Sequence, residues 1–306
     1  DLWQSGDALF YTLQLERLTH FTGDIFLELS PLLLLQILTH FALIAELLFL
    51  FLVFAPIFQP RLKAIALISV VMLHLGIGVL MSVPNFSIVM IISYLLFFPA
   101  EWVDYLARRF HRLRWLTRGG DETPIAAPSR YRRVLLVLIP GFMMFNVIGW
   151  NLSNSHLFGS QQSELQRHLV LYSGLWQSWD MFAPNPSRTD GWLMVIGRFE
   201  DGGMLNLRSG EDDYQNQIRY FFGPQVRWQK FDENMFNRAN MDLIYSAWGG
   251  YYCRTYNNLG QLPEGQRLAT MEFIYYSRLS HAPGESAYNI QPNLKWKQWC
   301  YEQYAY

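Results

Sequence analysis

Residues 72–99 read MLHLGIGVLMSVPNFSIVMIISYLLFFP, 28 positions without a side chain that is charged at neutral pH. Only a bilayer or a large core accommodates such a run. It nevertheless carries His74, Asn85, Ser87, Ser93 and Tyr94. Pro84-Asn85 should break it into two helices, one over about residues 63–83 and one continuing to about residue 100.

Upstream, residues 31–58 form a longer apolar segment with one charged side chain, Glu46. Downstream, VLLVLIPGFMMFNVIGWN at 134–151 is shorter and interrupted by Pro140-Gly141. At about 1.5 Å per residue the first two segments reach across a hydrocarbon layer of roughly 30 Å, and the last two are near the minimum. The overall figures, 51% hydrophobic and 16% charged, conceal this division, because charges recur every few residues beyond position 200.

The expected fold is an α-helical transmembrane bundle of about four crossings over residues 1–152. A C-terminal extramembrane domain, mixed α/β or mostly β, then covers 153–306. In that domain WLMVIGRF, MLNL and MEFIYYSRL read as strands separated by the turns EDGG, NNLG and APGE, with a helix at about 233–250. Two further segments, 2–20 and 165–182, have helical amphipathic spacing suited to the membrane surface, although the second suits packing on the soluble domain equally well.

Charge sets the expected orientation. Arg61 and Lys63 follow the first helix, and Arg108, Arg109, Arg112, Arg114, Arg118, Arg130, Arg132 and Arg133 follow the third. An even number of crossings separates the two loops, so both belong on the cytoplasmic side, near lipid headgroups. Residues 1–30 and the C-terminal domain then lie on the non-cytoplasmic side. A net charge of −1 and the lack, outside the arginine-rich loop, of a basic patch interleaved with aromatics give nucleic acid little support as a partner. Cys253 and Cys300 both fall in the polar half, either as a disulfide or as two thiols. Asp1 stands where a processed or truncated terminus is expected.

Glu46 and His74 sit deep in their segments, where a carboxylate must be protonated, paired or turned to a cavity, and a neutral imidazole can donate or accept. A Glu46–His74 pair would satisfy both, as a proton path to a ligand or as a hydrogen bond holding two helices in register. His40 and Thr39, two turns before Glu46, read as structural. Phe86, Met90 and Tyr94 share a helix face at i, i+4 and i+8. That face suits a flat apolar ligand such as a quinone, with the phenol offering a hydrogen bond, and it suits ordinary helix packing as well. No metal-ligand spacing, Ser-His-Asp order, phosphate-binding loop or CxxC pair is present.

Taken together, WQSGDALFY (3–11), LSPLLLLQILTHFALIAELLFLF (29–51) and HLGIGVLMSVPNFSIVMIISYLLFFPAEW (74–102) resemble the HTTM domain. This membrane module is shared with the vitamin K-dependent gamma-glutamyl carboxylase. The carried motifs are His74, Phe86-Ser87-Ile88-Val89-Met90 and Pro99-Ala100-Glu101-Trp102. WDMFAPNPSRTDGW, from Trp179 to Trp192, resembles a block that follows the membrane part in bacterial members. The resemblance runs to about residue 195.

The resemblance implies a ligand site for a quinone, the reduced form of which the carboxylase deprotonates with a lysine. His74, Phe86, Ser87 and Met90 match positions in the quinone-facing helices. The lysine belongs to a segment preceding the position of Trp3 and Gly6, so no catalytic base carries over, and whether the chain catalyses a reaction stays open. The implied role is that of an accessory or scaffold subunit of a larger membrane assembly, partnered by other subunits and in particular by a chain supplying the first half of the module. A quinone-dependent enzyme and a non-catalytic quinone- or lipid-binding module are the alternatives. The Trp179–Trp192 block is expected to dock the soluble domain on the bundle, with no partner assigned to Asp180 or Asp190.

Overall fold

A computed structural model describes residues 1–99, 129–154, 163–176, 185–210, 241–258, 267–285 and 289–301, with residues 102, 105, 108, 109, 182, 228, 231, 232, 234 and 235. Residues 110–128 of the arginine-rich loop, and Trp179, Asp180 and Met181, lie outside the described residues. The chain forms two compact units. One is Asp1–Phe97 together with Asn185–Tyr306, and the other is Phe98–Pro184.

The first unit opens with short helices α1 (Leu2–Ser5) and α2 (Ala8–Leu13), then α3 (Phe21–Leu29). Residues 2–20 were expected along a surface. Instead, Ala8, Tyr11, Leu13, Leu15 and Leu18 are buried, because this segment is packed between the helices and the sheet.

Two long apolar helices follow, α4 (Leu32–Val53) and α5 (Gln59–Leu80), joined by a turn in which Phe58 adopts φ 49°. Each is long and apolar enough to cross a membrane. Helix α6 (Pro84–Tyr94) begins on Pro84, whose missing N–H and fixed φ suit a first helical turn, and ends in a 3-10 turn at Leu95–Phe97. The break between α5 and α6 therefore falls at residues 81–83, just before the proline. Met81 bridges to Thr19, and Ser82 N–H donates to Leu18 O at 2.8 Å, so the N-terminal segment satisfies the backbone that the break exposes. Gly23 lets α3 close on the end of α5, where a Cβ would collide with Leu80 O.

Four antiparallel strands complete this unit: β1 (Thr189–Phe199), β2 (Met204–Asn206), β3 (Leu268–Leu279) and β4 (Ile290–Trp299), in the order β2-β1-β3-β4. Alternation along β1 sends Leu193 and Val195 to one face and Trp192, Met194 and Ile196 to the other, and both faces are buried. The first face joins Met271, Phe273 and Tyr275 beneath helix α9 (Asp242–Asn258), which supplies Tyr245, Trp248 and Tyr252. That helix was expected at about 233–250 and lies further along the chain. Cys253 on α9 and Cys300 beyond β4 form a disulfide, with Cα atoms 5.3 Å apart.

The second unit contains α7 (Arg130–Asn154) and α8 (Glu164–Tyr172). Helix α7 is the third one able to cross a membrane, and it runs through Pro140 without interruption. In an apolar stretch the single hydrogen bond lost at a proline is cheaper than the several exposed by unwinding. Ser163 caps α8, whose Leu165, Leu171 and Tyr172 are exposed.

Candidate functional site

Helices α4, α5 and α6 bring most of the sequence-predicted site residues together. His74 on α5 is 1% exposed. Its Nδ1 stands 2.9 Å from Val70 O in the preceding turn. A carbonyl only accepts, so Nδ1 carries a hydrogen, and in the neutral tautomer Nε2 presents a lone pair. Among the described residues no group bonds Nε2.

Ser87 on α6 is also buried, and its Oγ likewise has no partner among the described residues. Gly78, one turn after His74, makes this approach feasible: a Cβ there would stand 3.2 Å from Ser87 Cβ. The imidazole is flanked by Phe86, at a centroid distance of 5.4 Å and 37% exposed, and by Tyr94, also at 5.4 Å and edge-on. Tyr94 in turn rests on Phe49 of α4 at 5.1 Å, a wall that its sequence position among other apolar residues did not reveal.

Met90 is half-buried on α6 between Phe86 and Tyr94. Glu46 is exposed on the surface of α4, within electrostatic reach of His74 and Tyr94, and no hydrogen bond joins it to the imidazole. Glu46 therefore stands beside this pocket rather than pairing across it.

The WQSGD stretch is anchored to α4. Gln36 Nε2 donates to Asp7 Oδ1 at 3.0 Å, and His40 places its ring nitrogens 2.8 Å from Gln36 O and 3.3 Å from Gln4 O. Gly6, with φ +85°, leaves the space this needs, since a Cβ would stand 2.7 Å from the His40 ring. Thr39 Oγ1 accepts from Leu9 N–H and donates to Leu35 O.

A second polar cluster joins residues 2–17 to the sheet. Asp190 at the start of β1 is 1% exposed. Its Oδ2 accepts from Glu16 N–H at 2.9 Å and from Arg278 Nη2 at 3.4 Å, while Oδ1 lies 3.5 Å from Arg17 Nε. Arg278 also binds the Glu16 carboxylate and Gln14 O. The Gln14 amide pairs with both backbone groups of His281, and Arg188 covers the Tyr11 ring at 4.7 Å. Asn185 Oδ1 accepts from Leu2 N–H at 2.8 Å. Asn185, Arg188 and Asp190 thus all grip the N-terminal segment. Burial pushes the Asp190 carboxyl up to about 6, outweighing the two guanidinium groups that favour its charged form.

Among the described residues no group of three or more His, Cys, Asp or Glu is placed to hold a metal ion. No protein-family model matches the chain, and no characterised protein or solved structure is significantly similar to it.

Proposed function

We propose that this chain is an integral membrane subunit related to the HTTM module, that it works as an accessory part of a larger assembly, and that its α4–α6 face holds a quinol-class ligand. The observation that carries the ligand reading is the pair of buried polar atoms, His74 Nε2 and Ser87 Oγ, that no group among the described residues satisfies. Buried polar groups are nearly always bonded, so two in one apolar neighbourhood point to a ligand that bonds them. Because Nε2 is an acceptor in the neutral ring, it fits a ligand hydroxyl, as a reduced quinone offers. Ser87 Oγ can then donate to or accept from a second oxygen. Phe86, Met90 and Tyr94 supply the apolar walls for a ring. No residue of this site is assigned to a chemical step.

Parity supports four crossings. Residues 14–17 pack on the sheet, so a membrane traversed between residues 30 and 185 is traversed an even number of times. Among the described residues three long apolar helices lie in that interval, and Asn85–Phe97 supplies the remaining crossing. At roughly 22 Å, the α6 stretch with its 3-10 turn relies on local bilayer thinning. With the arginine-rich loop cytoplasmic, the C-terminal domain is non-cytoplasmic, where the Cys253–Cys300 disulfide is chemically at home.

The accessory reading rests on Glu46. A carboxyl exposed on the flank of a membrane helix is costly against lipid, so a neighbouring helix, such as one from a chain completing the module, is its natural cover. A photo-crosslinking residue at Leu50, exposed one turn after Glu46, should join a second polypeptide, and crosslinks confined to lipid would remove this part. For the ligand, solvent extraction and mass spectrometry of the purified protein should yield a quinone from wild type and none from a folded His74→Phe variant. A wild-type extract without quinone would falsify the proposal.

A further inference from the structure

We infer that a lipid acyl chain inserts into a cavity of about 320 Å³ between the start of α4 and the β3–β4 loop, separate from the His74 site. Its walls are Phe10 of α2, Leu27 of α3, Leu32 and Leu35 of α4, and Pro283-Gly284, with Ser30 the one polar side chain. The inference rests on the reading of α4 as a membrane span, since Leu32 and Leu35 then place the cavity where that span enters the bilayer.

The surrounding surface identifies the occupant. Along α3, Phe21, Ile25 and Leu29 recur at i, i+4 and i+8 and are 59%, 49% and 79% exposed. The opposite side of α3 is held on α5 by Gly23 and by Thr22 Oγ1, which donates to Val79 O. Leu33, beside the cavity on α4, is exposed as well. A contiguous apolar surface of this kind requires a cover, and it continues directly into the exposed flank of α4, which lipid surrounds.

Position decides for lipid, because the cavity lies beside the exposed apolar side chains where the span enters the bilayer. Its volume takes on the order of ten methylene groups at roughly 30 Å³ each. Among the described residues no charged side chain lines the cavity, so the headgroup is not selected. The bilayer interior is as apolar as the cavity, so close packing holds the chain, and it exchanges with bulk lipid. Such a chain would seat the β3–β4 loop on the membrane, beside His281, which Gln14 already grips.

The test reconstitutes the full chain in phosphatidylcholine vesicles in which a small fraction of lipid carries a mid-chain diazirine, followed by irradiation and peptide mapping. Label is expected on the exposed Leu47 and Phe51 of α4 and also on Pro283-Gly284, in the wall of the cavity. Leu27→Trp and Ser30→Phe fill the cavity and should each lower the label at Pro283-Gly284 about tenfold, leaving that on Leu47 and Phe51. Leu33→Trp, outside the cavity, should change neither. Retention of the Cys253–Cys300 disulfide identifies the folded variants. Label on α4 without label on Pro283-Gly284 overturns the inference while the span reading stands, as does undiminished label in both filled variants. Absence of label from α4 as well overturns the span reading and this inference with it.

Discussion

Asp190 and His74 are equally buried, each 1% exposed, and their surroundings differ in kind. Asp190 draws two guanidinium groups and a backbone N–H from segments far apart in sequence, residues 16–17 and β3. His74 bonds one carbonyl of its own helix and otherwise meets rings, with Nε2 left over. A carboxyl paired with cations from two distant segments holds elements together. A polar group left with an open valence in an apolar wall lowers stability on its own account, and a ligand that fills it recovers that loss. The contrast fits architecture for the first cluster and, under the proposed function, binding for the second.

The largest effect should come from breaking the Asp190 cluster. Replacing Arg278 by Met removes the group shared by Asp190, Glu16 and Gln14 and leaves a buried carboxylate short of charge. The expected loss is about 3 kcal/mol, read as a fall in unfolding temperature and as faster proteolysis after residue 17. Stability unchanged within about 0.5 kcal/mol would show that the cluster does not carry the docking.

The pH dependence of the same cluster comes next. The folded Asp190 carboxyl is raised from 3.8 to about 6, so the folded state binds its proton more tightly than the unfolded state does. Its contribution is therefore complete below about pH 4 and is lost as pH rises through 6, on the order of 2 kcal/mol between those limits. Glu16, Arg17, Arg278 and the Gly191 N–H are the groups that bear on it. Asp190→Asn should flatten this slope between pH 4 and 7, and a slope that persists in the variant assigns the titration to another group.

The two clusters also differ in how far sequence alone discloses them. His74, Phe86, Ser87 and Tyr94 lie within 21 consecutive residues on two adjacent helices, and helical spacing largely determines who meets whom. The long spans α4, α5 and α7 are legible for a related reason, because hydropathy is a local property. Residues 14–17, 190 and 278–281 meet only through the pairing of β1 with β3 and its contact with the N-terminal segment, which no local pattern encodes. The same holds for the disulfide, where composition favoured two thiols over a bridge. Pro140 misleads in the other direction, since the water-based expectation of a helix break does not apply where unwinding exposes backbone to apolar surroundings.

On the binding side the predicted stability effects are smaller and of opposite sign. His74→Phe replaces an imidazole that lacks one bond by a ring of similar size, so the ligand-free protein should be unchanged or up to about 1 kcal/mol more stable. Added ligand should raise the unfolding temperature of wild type and leave this variant unmoved. A variant as damaged as Arg278→Met would place His74 with Asp190 as an architectural residue.

Ser87→Ala gives the finest cut. Its hydroxyl is buried beside Gly78 with no partner among the described residues, so removing it strands none of their groups and empties little volume. Stability should move by less than about 0.5 kcal/mol. If the hydroxyl bonds a ligand oxygen, affinity should fall about five- to tenfold, the worth of one neutral hydrogen bond, measured by titrating a soluble short-chain quinol against tryptophan fluorescence. Binding lost in His74→Phe but intact in Ser87→Ala would confine recognition to the imidazole. Loss in both, with stability preserved, would show that the two open valences address one ligand.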